Sequence, residues 1–158
     1  MPIEVEQGLM PSILDRLIDP ESAGTAILIG YDAQKTTNAV RRDLEELLNT
    51  RQTYANLPAG YEQINQSIIA YGLPDIGTME AITAKQREAI AGRIRDVIQM
   101  FEPRLRDVKV TYRQGQSLSE RSLRFHIEAK LNVDPSPDIA FDTVLELASG
   151  QYEVRSGA

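Results

Sequence analysis

The sequence contains no cysteine. That excludes a disulfide framework, a thiolate nucleophile and a zinc–thiolate centre, and makes an intracellular setting the expectation. It contains a single histidine, His126. No apolar run approaches the roughly 20 residues needed to span a bilayer. The opening MPIEVEQ is acidic and lacks the basic and apolar regions of a secretion signal. Internal repeats, low-complexity tracts and an interdomain linker are also missing. The expectation is therefore one domain over residues 1–158, with residues 1–8 as a flexible lead.

The motifs of common chemistries are missing too. There is no G-x-S-x-G elbow to supply a serine nucleophile and no H-E-x-x-H or EF-hand loop to hold a metal. Neither a G-x-x-x-x-G-K-[ST] loop nor a G-x-G-x-x-G turn is present to cradle phosphates. Glycoside hydrolysis needs only two carboxylates, one protonated and one ionised. Glu102 is the candidate for the first, but Arg104 two positions on favours its ionised form. No pattern marks a second carboxylate. The sequence gives no catalytic residue, no cofactor and no metal site.

What is there reads as an ordinary globular chain, 42% hydrophobic and 25% charged over 158 residues. The net charge of −6 is uneven, because residues 85–130 hold eleven Lys and Arg against six Asp and Glu. With no concentrated Lys/Arg run, nucleic acid is not expected as a partner.

Helical periodicity dominates the first two thirds. Ser12 is placed to cap SILDRLID, with Ile13, Leu14, Leu17 and Ile18 at helical spacing and Pro20 closing it. TAILIG, residues 25–30, is too short to classify. A second helix is predicted over Thr37–Thr50, with Val40, Leu44, Leu47 and Leu48 inside. Arg41, Arg42, Asp43, Glu45 and Glu46 form its wet side. A third, Tyr61 to Tyr71, should bury Ile64 and Ile68, with Ile69 beside them and Gly72 at C′. The fourth starts near Thr83, which has capping-box spacing to Gln86, and presents Ile90, Ile94, Val97, Ile98 and Phe101 on one face. Gly92 interrupts it, as a position for close packing.

After Pro103 the period falls to two. Val108, Val110 and Tyr112 alternate with Lys109, Thr111 and Arg113. In SLRFHIEAKLNV, Leu123, Phe125, Ile127, Ala129, Leu131 and Val133 oppose a polar face that includes His126. FDTVLEL and QYEVR, joined through Ser149-Gly150, read as a hairpin. Helices first and strands last imply an α+β fold. N-terminal helices would pack on a C-terminal, mainly antiparallel sheet of three to four strands.

Where the two periods meet stands Glu102-Pro103-Arg104. Proline ends the helix. A glutamate at the helix C-terminus opposes the dipole, at about 0.3–1 kcal/mol when exposed. Three readings of the corner remain open: a solvated helix stop, an internal clamp, or a docking feature for a partner.

SILDRLID, VRRDLEELLNTRQ, SIIAYGLPDI and above all IRDVIQMFEPRLRDVKV resemble the TssE family of type VI secretion baseplate subunits. That family is related to the lysozyme-like wedge proteins of contractile phage baseplates. The resemblance runs from about Leu9 to Arg155 and takes in FDTVLELASGQYEVR; Ile76, after Leu-Pro-Asp, is its one small departure. It implies a non-enzymatic structural subunit that nucleates or anchors the contractile sheath by strand addition. The implied partners are the sheath subunits TssB and TssC and the wedge subunits TssF, TssG and TssK. The implied site is a cytoplasmic baseplate docked at an inner-membrane complex, without membrane insertion. Glu102, Pro103 and Arg104 match the family's signature and would be the partner-binding residues, holding an open sheet edge while the first helices meet the wedge. The alternatives are a peptidoglycan-cleaving lysozyme-like enzyme and a soluble regulatory adaptor of the same fold.

Overall fold

The computed structural model describes residues 11–18, 33–53, 60–74, 83–114, 122–133 and 136–157. Pro20, the TAILIG stretch, Ile76 and residues 1–8 lie outside them. The chain divides into two compact units, with the boundary between Val40 and Arg41.

In the first unit, α1 (Ile13–Ile18) begins on a reciprocal cap. The Asp15 N–H donates to Ser12 Oγ at 3.1 Å, and the Ser12 N–H donates to Asp15 Oδ2 at 3.0 Å. Asp15 thus takes the place that Glu or Gln holds in a capping box, and two otherwise orphaned N–H groups are satisfied. Asp15 is buried, whereas Ile13, Leu14, Leu17 and Ile18 are all exposed. Helix α2 (Ala33–Asn49) starts four residues before the predicted Thr37. The Thr37 hydroxyl donates to the Ala33 carbonyl at 2.8 Å, so a residue with modest helix propensity is accommodated inside the first turns.

The second unit takes over α2 from Arg41. Leu44, Leu47 and Leu48 are buried, as their spacing predicts. The predicted Tyr61–Tyr71 helix is instead two short pieces, α3 (Glu62–Asn65) and a 3-10 turn (Ile68–Ala70). Ser67 breaks it. Its Oγ donates to the Ile64 carbonyl at 2.7 Å and accepts from the Ile69 N–H at 3.3 Å. Local hydroxyl bonding of this kind competes with the helix ladder. Consequently Ile68 and Ile69 are exposed, and Ala70 and Leu73 enter the core in their place.

Gly72 has φ +99°, and the reason is a close backbone approach. Leu73 bridges to Arg51, with Gln52 N–H to Leu73 O and Leu73 N–H to Thr50 O both at 2.9 Å. A Cβ on Gly72 would lie 2.2 Å from the Thr50 carbonyl oxygen.

Helix α4 (Ala84–Phe101) carries the predicted capping box between Thr83 and Gln86 and buries Ile90, Ile94 and Ile98. From its end the chain turns into β1 (Leu105–Arg113), followed by β2 (Ser122–Leu131), β3 (Asp138–Glu146) and β4 (Gln151–Ser156). They form one antiparallel sheet in the order β1-β2-β3-β4. A bulge between Arg106 and Lys109, with Asp107 at φ +55°, bends the start of β1. The inner face holds Phe125, Ile127, Leu131, Phe141, Leu145 and Val154, and α4 lies against it beside β1. Thr143 is fully buried in this layer and satisfies its hydroxyl on the Phe125 carbonyl at 3.2 Å.

His126 lies on the opposite face, as the alternation predicts, yet it is buried. Its Nδ1 sits 2.6 Å from Asp142 Oδ1 on β3, and its Nε2 is 3.6 Å from Glu128. Alternation reveals its face, whereas this partner across the ladder has no local signal.

Candidate functional site

The corner between α4 and β1 is an ion cluster. Glu102 caps the helix with φ −119° and ψ 81°, and its N–H still bonds the Ile98 carbonyl at 2.9 Å. Pro103 then prevents any continuation, and Leu105 N–H closes the turn on Glu102 O at 3.1 Å. Glu102 is only 4% exposed. A carboxylate so placed needs charge-assisted bonds, and Arg104 supplies them. Arg104 Nε donates to Oε1 at 2.7 Å, Nη2 to Oε2 at 2.5 Å, and its backbone N–H to Oε1 at 3.2 Å.

Arg104 is shared. Its Nη2 also donates to Asp43 Oδ2 at 2.6 Å, on α2, while Arg42 bonds the other Asp43 oxygen through Nε at 3.0 Å and Nη2 at 2.7 Å. The Glu102 hydrogen bond, opposed by burial, raises the Arg104 pKa still further above its ordinary value; the charges of Glu102 and Asp43 add to it. Arg104 is therefore a permanent cation. Tyr71 packs edge-on against Phe101, with ring centroids 5.2 Å apart. Burial first, and then the charges of Glu46, Asp43 and Glu102, push its phenol pKa up. On the far side, the Asn132 N–H donates to Arg104 O at 2.8 Å and so ties the corner to the end of β2.

Of the predicted site residues, Glu102 and Arg104 thus meet each other and Arg104 also meets Asp43, while Pro103 is exposed. Asp43 was legible only as part of a wet helix face.

The two margins of the sheet differ. On β4, side chains of α2 occupy the outward backbone groups. The Tyr152 N–H donates to Asn49 Oδ1 at 2.7 Å, and Asn49 Nδ2 donates to Tyr152 O at 2.8 Å. The Val154 N–H donates to Glu45 Oε2 at 3.1 Å, and Arg41 Nη1 donates to Val154 O at 3.2 Å. Arg41 and Glu45 also pair at 3.9 Å. The match is geometric: four helical residues advance about 6 Å and two strand residues about 6.8 Å. Positions 41, 45 and 49 therefore keep step with the outward groups of the strand.

This sealing also sets the phase of the whole ladder. If Tyr152 and Val154 bond outward, their partners Leu145 and Thr143 bond β2, at Leu123 and Phe125. Arg124, His126 and Glu128 must then bond Arg113, Thr111 and Lys109. The backbone groups of Val110 and Tyr112 consequently point away from the sheet. Among the described residues, no side chain or backbone group outside the sheet bonds them. A groove of about 590 Å³ opens beside them, between β1 and α4.

The sequence matches the family of baseplate wedge protein gp25 over residues 34–136, which takes in α2, the corner, β1 and β2. The chain belongs to the gp25 baseplate wedge family. A chain in a solved structure described as the baseplate complex from the type VI secretion system is also similar. It has a TM-score of 0.48 and 20% identity, over 70% of this chain and 94% of that one. No curated protein gives a significant match. In this gp25-family chain the described residues contain no group of three His, Cys, Asp or Glu placed to hold a metal ion. They also contain no helix long and apolar enough to cross a membrane.

Proposed function

We propose that this wedge protein is a non-enzymatic subunit of a type VI secretion baseplate, of the TssE kind, that anchors the first ring of the contractile sheath. The anchoring is strand addition at β1: an extended segment of a sheath subunit (TssB or TssC) bonds the outward N–H and C=O groups of Val110 and Tyr112. The observation that carries this reading is the inequality of the margins, one closed by α2 side chains and the other facing a groove. An uncovered margin is ordinarily an aggregation liability, and its retention suits a protein that receives strands.

The corner fits the same reading. Glu102 and Arg104 lock the angle at which β1 leaves α4, and Asp43 ties that angle to α2. Pro103 is the exposed member of the corner. The wedge subunits TssF, TssG and TssK are the partners proposed for the remaining surface, in a cytoplasmic baseplate docked at an inner-membrane complex. A muramidase role is less well supported, because both Glu102 oxygens accept from Arg104, whereas a general acid must donate a proton.

Residue-resolved amide exchange tests the proposal. In the isolated protein the Val110 and Tyr112 amides should exchange fast, while Lys109, Thr111 and Arg113 exchange slowly. Added sheath subunits should protect Val110 and Tyr112. Sheath binding that leaves both amides unprotected rules out addition at β1.

A further inference from the structure

The groove beside β1 has a chemical character of its own. Helix α4 runs antiparallel to β1, so Arg87 lies level with Tyr112 and Ala91 with Val110. Arg87 Nη1 donates to Tyr112 Oη at 3.0 Å, and the guanidinium carbon stands 4.8 Å from the Tyr112 ring centroid. These contacts hold the side chain flat at the groove wall but leave its charge uncompensated. No carboxylate among the described residues lies within ion-pair distance, and the Nε–H is buried with no acceptor. An unpaired charge on a half-buried guanidinium is a costly arrangement unless a partner completes it.

Below Arg87 the wall is small. Ala91 and Gly92 line the groove with Val110 and Tyr112, and a Cβ built on Gly92 meets nothing within 4 Å. Among the described residues Gly92 therefore serves no close packing, contrary to the sequence expectation. It leaves room in the groove for another side chain.

We infer that the groove selects an extended partner segment bearing a carboxylate side chain that pairs with Arg87, with an apolar side chain two positions away seated over Ala91 and Gly92. The inference rests on strand addition at β1 and adds the chemistry of the strand that is accepted. Alternate residues of an added strand point to the same face. The residue beside Tyr112 therefore brings its side chain to Arg87, and the one beside Val110 reaches the small-residue floor. Of the other charged residues lining the groove, Arg95 pairs with Asp96 at 2.7 Å and Glu88 is acidic, so the preference for a carboxylate rests on Arg87.

The test uses synthetic nine-residue peptides of alternating Thr and Val with Glu, Gln or Lys at the centre. They are titrated into the full-length protein while the Val110 and Tyr112 amides are followed. The Glu peptide should protect both amides and bind at least tenfold more tightly than the Lys peptide, with the difference shrinking as salt is raised. Arg87→Glu should reverse the preference, and Arg87→Lys should keep its sign with less selectivity, since lysine lacks the bidentate fork. The Gln peptide, which keeps the size of Glu without its charge, should bind between the Glu and Lys peptides and so separates charge reading from packing. Equal binding of the Glu and Lys peptides, or no protection by any peptide at millimolar concentration, overturns the inference. If sheath subunits nevertheless protect Val110 and Tyr112, strand addition stands without it. If they leave these amides exposed, strand addition itself fails.

Discussion

Asn49 gives Tyr152 the two hydrogen bonds that a neighbouring strand would give, accepting from its N–H at 2.7 Å and donating to its C=O at 2.8 Å. One side chain on a helix thereby stands in for a strand residue. Glu45 and Arg41 repeat the substitution one and two turns away.

Asn49→Ala should uncover the β4 margin. Two part-buried bonds are lost, at a cost of about 1–3 kcal/mol, which urea denaturation would read. The freed groups of Tyr152 should also promote association, seen as concentration-dependent light scattering. Asn49→Asp keeps the acceptor and loses the donor, so its cost should be intermediate. If Asn49→Ala is neutral in both measurements, the bonds do not seal the margin.

Arg104→Ala strands Glu102, while Asp43 keeps its bonds to Arg42. Because Glu102 is nearly fully buried, the cost should be about 2–4 kcal/mol. For a chain of this size that lowers Tm by about 5–15 °C. The protein should still fold but should support sheath assembly poorly in cells. Pro103→Ala should be milder, since an exposed ring is lost and the ion cluster stays. Normal sheath dynamics with Arg104→Ala would remove the corner from the assembly argument.

Two glycines should respond in opposite directions. Gly72→Ala places a methyl against the Thr50 carbonyl and a side chain at φ +99°, and should break the Arg51–Leu73 bridge with a loss of at least about 2 kcal/mol. Gly92→Ala sits mid-helix beside open space, and should gain about 1 kcal/mol. Thermal melts of the two variants decide the matter. Stabilisation by Gly72→Ala would contradict the close approach described for it.

Tyr152 carries a buried hydroxyl with no partner among the described residues, and burial pushes its phenol pKa up. The folded state thus holds this proton more tightly than the unfolded chain does. Its contribution to stability is fully present below the unfolded tyrosine pKa of about 10 and is lost as pH rises above it. Tyr152→Phe should raise stability at neutral pH by about 1 kcal/mol and reduce the alkaline loss. The raised pKa of Tyr71 leaves a residual alkaline sensitivity. An unchanged pH profile in Tyr152→Phe would refute the assignment.

The elements that could be read in the sequence were those where two signals agreed. Helix α4 has both a capping box and an apolar stripe, and β2 has ten residues of alternation. The link between Glu102 and Arg104 was also legible, because residues two apart in an extended segment share a side. Asp43 was not, since nothing local connects it to a residue 61 positions away. Arg41 and Glu45 looked like solvated helix surface; their one-turn spacing, continued to Asn49, was the only hint that they face a strand. Ile68 and Ile69 were misplaced because a serine hydroxyl outcompeted the helix ladder, a local contest that apolar periodicity does not weigh. His126 was put on the correct face but not inside, because Asp142 reaches it only through the pairing of β2 with β3.

The closure of β4 by α2 gives the sheet a valence of one. If β1 pairs with β1 of a second copy, the described residues offer no second open sheet margin from which that pair can grow. A protein built this way can begin an assembly of other subunits without becoming a filament of itself.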